Sequence, residues 1–468
     1  MPGAFLDTQT YVISPTETPG LIHADNLTEE SARETERLLK HNNENHHIFF
    51  TTEAHMGVYL HNHTAHHDLT IWALGATPEV LRSQHERNAL YMRPSFHVVD
   101  PVVLDLQEDF VFKKCLGREE HFRNFEQFFL KEITNNGYQA TLQKYLVGGS
   151  EIADEMLVHV YMGYVHGLIH VGLSFEFHQP LLLAEGLAQA AVHHDEWYNT
   201  YLQSAEKLAK EEREPPLPLA DLFDMERADP KISTASSLDY HLQTRKHSGK
   251  WAMDKEFARD GVMVNARDEI LRLAARWRVS PDDDLERKTA ELVNGALLIT
   301  AASQRAPYQC TFDFWILHTL TGSIGHVSFL KEPSFTNAQK ARFLEYSGRC
   351  FMMTYAGLGV PELNIPYLLS HRSKLPNQGW SEIFARACLH EDDGHMAKMI
   401  RSTALCERIC KPYDHLPEFR IKQGMFLPAA TAMIDSGSER PMTLSKHWDF
   451  VRGAGWEEAW KRFPKRDY

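Results

Sequence analysis

His395 and Lys398 stand three residues apart in the run His390-Glu391-Asp392-Asp393-Gly394-His395-Met396-Ala397-Lys398. In a helix both side chains leave from one face. A neutral imidazole offers a lone pair to a transition metal, whereas a protonated lysine offers none. The pair has two readings: a salt-bridged face with Asp392 or Asp393 as partner, or part of a metal site. Three further segments carry histidines among apolar neighbours. In His61-Asn62-His63-Thr64-Ala65-His66-His67-Asp68, His63 shares a helical face with His66 or His67. His159, His166 and His170, spaced seven and four apart, also share a face, flanked by Tyr161, Val165, Leu168 and Ile169. His318 lies within Phe314-Trp315-Ile316-Leu317-His318-Thr319. A single core histidine is satisfied by a backbone carbonyl. Several imidazoles on separate apolar helices each need a polar partner, and one shared metal serves them together.

Familiar metal motifs can be tested on these residues. His390-Glu391 to His395 is one residue too long for a zinc-protease HExxH. Five residues advance a helix by roughly 140° beyond a full turn, so the two imidazoles diverge. No convincing pair of Glu-x-x-His segments supports a carboxylate-bridged di-iron site. His66-His67-Asp68 and His193-His194-Asp195 each contain a His-Asp dyad, as an all-α metal-dependent phosphohydrolase would. For His193 and His194 a solvated helix end is the expectation. A third reading is a non-catalytic helical protein whose histidines line a pocket for an aromatic ligand.

The elements that must position these groups read as helices. A helix is expected over Glu29–Leu39, capped by Asn26 or Thr28, after an irregular lead-in over residues 1–25. Another runs from His63 to Leu74 and stops at Gly75, and Thr77-Pro78-Glu79 opens the next. Two helices lie between Glu119 and Leu146, broken at Asn135-Asn136-Gly137. A long apolar helix spans about Glu151 to Leu173, and Pro180 begins one that ends near His194. Residues 205–255 turn charged and proline-rich, a surface excursion or linker. Ser280-Pro281 starts a helix to about Ala302, and helices recur at about 311–331, 335–356 and 379–410 before an irregular, aromatic tail. β-branched alternation is scarce, and no GxGxxG or Walker loop occurs. The expectation is an all-α fold, one large bundle-like domain over residues 1–468 with a metal site between helices.

Of the 468 residues 43% are hydrophobic and 24% charged, with a net charge of -14, the balance of a globular protein. No basic stripe with interleaved aromatics favours nucleic acid. No apolar run looks long enough to span a bilayer, and Met1–Pro15 lacks a signal-peptide pattern. The six cysteines are scattered, and Cys406 and Cys410 read as reduced thiols in or near the core. A cytoplasmic protein with a small-molecule partner, bound to neither membrane nor nucleic acid, is expected. The oligomeric state stays open.

The ordered segments Asn62-His63…Ala73-Leu74-Gly75-Ala76, His166-Gly167-Leu168-Ile169-His170, His318-Thr319-Leu320-Thr321 and Asp393-Gly394-His395-Met396-Ala397-Lys398 resemble those of the questin oxidase-like family. The resemblance covers most of the chain. It implies an α-helical oxygenase of fungal aromatic polyketide pathways that opens an anthraquinone ring by oxidative C–C cleavage to a benzophenone. It also implies an Fe(II) site of four histidines and a carboxylated lysine, with O2 as co-substrate. Matched motif by motif, the ligands fall at His63, His166, His318, His395 and Lys398, with His67 the alternative to His63. Lys398 and His395 are also the residues it marks as catalytic. His66, His67 and His170 would stand behind the ligands. A lysine in a dry pocket is pushed towards its neutral amine, which can add CO2 to give a carbamate. Four imidazoles and one anionic oxygen suit Fe(II). NADPH is sometimes linked to questin oxidases, but the chain carries no dinucleotide fingerprint. Phe314 and Trp315 could stack on a planar substrate, although core packing is the expected role of both.

Overall fold

The computed structural model describes residues 10–51, 60–194, 196–238, 244–247, 250–253, 256–437 and 450–468. These gather into two compact units. One is built from described residues up to 51, from 60–200 and from 325–340, and the other from 201–324 and 341–468. The fold is all-α. The described residues also include one short antiparallel ribbon, Thr244–His247 with Lys250–Met253, and isolated bridges.

In the first unit α1 (Glu29–Asn45) starts from Thr28. The Thr28 hydroxyl accepts from the Ser31 amide while the Ser31 hydroxyl accepts from the Thr28 amide, a reciprocal cap. Helix α2 (Thr64–Ala73) follows His63 and ends before Gly75, whose φ of +91° suits a residue without Cβ. Helix α3 (Pro78–Ala89) takes Thr77 as its cap and proline in its first turn. The three pack on one another. Every residue of α2 is buried, so His66, His67 and Asp68 must find partners inside the protein.

Helices α4 (Phe122–Asn136), α5 (Glu151–Glu176) and α6 (Pro180–Val192) complete this core, α6 packing against both others. The expected continuity of α5 fails at Met162–Val165. There Gly163, Tyr164 and Val165 take φ of +57°, +56° and +59°, a conformation unfavourable for a β-branched residue. His159 and His166 therefore sit on either side of a break and not on one continuous face. By length and composition α5 could cross a bilayer, contrary to the expectation from the sequence, but 89% of its apolar window is buried, as in a core helix.

In the second unit α7 (Leu219–Ala228), α8 (Leu285–Ala302) and α9 (Leu317–Ser323) precede α10 (Trp380–Leu389), α11 (His395–Cys410) and α12 (Phe426–Ser436). Helix α8 packs on α7, α9 and α11, and α11 also packs on α10 and α12. Gly295 makes the α7 contact close, because a Cβ there would stand 2.9 Å from Leu219 Cδ2. The proline-rich stretch thus supplies a packed helix and is no linker; its residues 239–243, 248–249 and 254–255 lie outside the described ones. Helix α8 begins at Leu285 under an Asp284 cap, since Ser280 and Asp283 close a turn instead. The expected 379–410 helix is two helices parted at His390–Gly394, residues 311–316 are irregular, and the tail contains α12. Cys406 and Cys410 are buried, free thiols.

Candidate metal centre

In the first unit the break in α5 presents His166. Its Nδ1–H donates to the Gly163 carbonyl at 2.5 Å, so the lone pair is on Nε2. That Nε2 lies 2.7 Å from His63 Nε2. Two imidazole nitrogens on one six-coordinate metal, with bonds of about 2.1 Å, would stand roughly 3 Å apart. His67 is arranged otherwise. Asn88 Nδ2 lies 2.9 Å from His67 Nδ1 while Asn88 Oδ1 accepts from Tyr91, which puts the His67 proton on Nε2. Of the two alternatives, the structure brings His63 against His166.

One turn further along both helices, His66 Nε2 is 3.0 Å from His170 Nδ1, and His170 Nε2 is 3.4 Å from Glu185 Oε2. A carboxylate accepts, so the proton order runs His66 Nε2–H to His170 Nδ1 and His170 Nε2–H to Glu185. Tyr11 donates to the same oxygen, and Asn43 bridges Glu185 to Glu126. Burial pushes the Glu126 carboxyl up to about 8, against the pull of Arg123. The His66-His67-Asp68 dyad does not act as a group. Its members face His170, Asn88 and His85, with Asp68 Oδ2 2.8 Å from His85 Nδ1, and this removes the basis for a phosphohydrolase. In the second dyad His193 is buried and not solvated, His194 is exposed, and Asp195 lies outside the described residues.

In the second unit the loop between α10 and α11 does two jobs. Asp392 accepts from the Gly394 and Met396 amides at 2.7 and 2.8 Å, satisfying the start of α11. Asp393 accepts from His395 Nδ1, which puts the lone pair on Nε2 and aims the ring, a common arrangement behind metal-binding histidines. His395 Nε2 lies 3.2 Å from His318 Nε2. Lys398 is 5% exposed and its Nζ has no hydrogen-bond partner among the described residues, so the salt bridge with Asp392 or Asp393 does not form. Burial pulls its amine down to about 8, against the opposing charges of Asp393 and Asp392. The HExxH idea fails for a plainer reason than spacing: His390 ends α10 and His395 begins α11.

His318 is placed by Asp313. One carboxylate oxygen accepts from the Trp315 and Ile316 amides, and the other from Gly453 and Ala454. Phe314 packs its ring 5.4 Å from His318 and 5.0 Å from His395, with Arg452 4.7 Å over it. Phe314 and Trp315 are buried, which makes them packing residues and not an open platform. The sequence reading missed Asp393 as the group orienting His395, along with Asp313, Glu185, His61 and His193. An acidic residue two positions before a candidate ligand was the available signal for Asp393.

The residues suit the metal that the resemblance implies. His166 and His395 each have Nδ1 committed to an oxygen acceptor, so each turns an Nε2 lone pair, the form that binds a metal, towards a second imidazole. Lys398 has a buried amine with no hydrogen-bond partner among the described residues. The protein is thus a helical one whose buried imidazoles meet in nitrogen-to-nitrogen pairs, groups able to hold a metal ion. Residues 60–403 match the questin oxidase-like family, and the chain belongs to it. It is 33% identical to "Questin oxidase" of Aspergillus fumigatus over 95% of this chain and 97% of the relative. It is 31% identical to "Baeyer-Villiger oxidase mdpL" of Emericella nidulans over 94% and 95%, and 31% identical to "Oxidoreductase AflY" of Aspergillus parasiticus over 91% and 82%. The protein is accordingly an oxidoreductase, not a non-catalytic binding protein.

Proposed function

We propose that this oxidoreductase is an iron-dependent oxygenase that opens an anthraquinone ring by oxidative C–C cleavage in fungal aromatic polyketide biosynthesis. Near-complete alignment with a questin oxidase supports the substrate class. A relative named as a Baeyer-Villiger oxidase supports cleavage beside a carbonyl, because that reaction inserts oxygen between a carbonyl carbon and its neighbour. The assigned ligands are His63, His166, His318, His395 and Lys398. The His63–His166 pair and the His318–His395 pair are each ordered within one compact unit as described. The observation that carries the metal assignment is the 2.7 Å approach of His63 and His166 with the His166 proton held on the far nitrogen.

When bound, Fe(II) would supply the one-electron chemistry that lets O2 react with a phenolic substrate. The chain's own residues have separate tasks. Gly163 and Asp393 hold His166 and His395 in the tautomer that offers Nε2. Phe314 covers one side of the His318 and His395 rings and keeps water from them. Lys398, with its amine pulled towards neutrality, can add CO2 and release a proton to give an anionic oxygen donor. Lys398 stands in the first turn of α11, where the helix dipole would favour that negative charge.

Metal analysis tests the reading directly. The purified protein should hold close to one iron per chain, and less than about a tenth of an equivalent would contradict it. Lys398→Ala and Lys398→Arg should both lose the metal, because arginine stays protonated and forms no carbamate. A metal-loaded Lys398→Arg protein would remove the carbamate from the proposal. With 13C-labelled bicarbonate, a carbamate carbon signal is expected in the unaltered protein and absent from Lys398→Arg.

A further inference from the structure

His61 and His193 belong to no assigned group, yet they enclose His166. The His61 ring lies parallel over the His166 ring, centroids 3.6 Å apart and planes 12° apart. His61 Nε2 is 2.7 Å from His193 Nε2. Phe49 sets its ring against both, at 5.5 and 5.1 Å. His193 fills the space left by Gly163, where a Cβ would stand 2.1 Å from His193 Cε1. The carbonyl of that same glycine accepts from His166 Nδ1. The chain of contacts closes on itself: Gly163 to His166, His166 to His61, His61 to His193, and His193 back to Gly163. Both outer imidazoles are 3% exposed, and each turns a nitrogen to the other, as buried polar groups require.

We propose that His61 and His193 are positioning residues for His166, the stacked His61 fixing the plane of its ring and His193 anchoring His61. This rests on the reading that His166 holds a metal. His61 does bring a ring nitrogen within 4.8 Å of those of His63 and His166, but its Nε2 pairs with His193 and His61 shows His166 its face. An apolar ring in the same place would stack but could not be anchored by His193. The arrangement therefore fixes direction as well as filling space, and a ring free to turn by tens of degrees would no longer aim its lone pair.

Three full-length variants decide it, each stripped and reloaded with Fe(II) against a competing chelator, and with Co(II) for its ligand-field spectrum. His61→Ala should retain iron about 10–100-fold less well and shift the Co(II) spectrum. His61→Phe, which keeps the stack but loses the anchor, should retain iron better than His61→Ala and show the milder loss of His193→Leu. His193→Leu, which leaves both stacked rings in place, should weaken retention more mildly and shift the spectrum in the same sense. Wild-type affinity and an unchanged spectrum in both His61→Ala and His193→Leu would overturn the proposal. So would a His61→Phe protein as empty as His166→Ala, which would make His61 a ligand. If His61→Ala fails to fold, His61→Phe and His193→Leu still separate a positioning residue from a ligand and from a bystander. An unaltered protein that binds neither metal would instead sink the iron reading itself.

Discussion

Asp393 serves His395 as the Gly163 carbonyl serves His166, by holding the proton on Nδ1 and leaving Nε2 to face the neighbouring imidazole. The difference is charge, which lets Asp393 be tested by a near-isosteric change. Asp393→Asn should lower iron affinity about 10–100-fold, read by chelator competition, while leaving the melting temperature within a few degrees. Unchanged affinity would show that the carboxylate does not tune the ligand. A second titratable group lies apart from the candidate ligands. His371 Nε2 is 2.9 Å from Asp435 Oδ2, and Arg386 holds the other oxygen. Burial works against the charged imidazole, but the hydrogen bond to Asp435 and the neighbouring Cys310 outweigh it and push His371 up to about 9. The folded value exceeds the unfolded one of about 6.5. Its stabilisation is therefore complete below that pH and is lost as pH rises through about 9. The melting-temperature gap between wild type and His371→Gln should be widest near pH 6 and close by pH 10; a gap constant across that range would contradict this.

The helices themselves were largely legible, because caps and stops are local chemistry: Thr28, Thr77-Pro78 and Gly75 mark the boundaries found. The break in α5 was not. Met162-Gly163-Tyr164-Val165 reads as apolar helix, and only its neighbours, His193 against Gly163 among them, account for a left-handed turn there. The loop at His390–Gly394 was hidden for the opposite reason, since Asp392 and Asp393 were read as helix surface while they cap α11 and orient His395. Gly163→Ala should cost on the order of 2 kcal/mol or more, from an unfavourable φ together with the clash on His193. A urea midpoint equal to wild type would refute the closeness of that approach. Asp313→Ala should cost on the order of 3 kcal/mol, because it strips acceptors from four amides in the lead-in to α9 and the tail. The expected sign is a lower urea midpoint with earlier proteolysis after residue 450, and an unaltered protease pattern would contradict it.

Each of the two compact units builds its own imidazole pair into its own core, His63 with His166 in one and His318 with His395 in the other. The sequence made these histidines visible because imidazoles in apolar helices demand partners, and the order of four short motifs carried the family. That the residues gather into two units was not legible, since the boundary at 200 falls inside the helix Glu196–Glu211 and that at 324 between two short helices, neither marked by a linker-like composition. Removing an imidazole from either unit, as in His166→Ala or His318→Ala, should empty the protein of iron. The most direct measurement is oxygen uptake with an anthraquinone such as questin, comparing protein loaded with one equivalent of Fe(II), the same protein stripped by a chelator, and iron-loaded His318→Ala. Uptake and a ring-opened product, labelled from 18O2, are expected with the loaded protein alone. A stripped protein that turns over as fast as the loaded one would contradict the iron assignment.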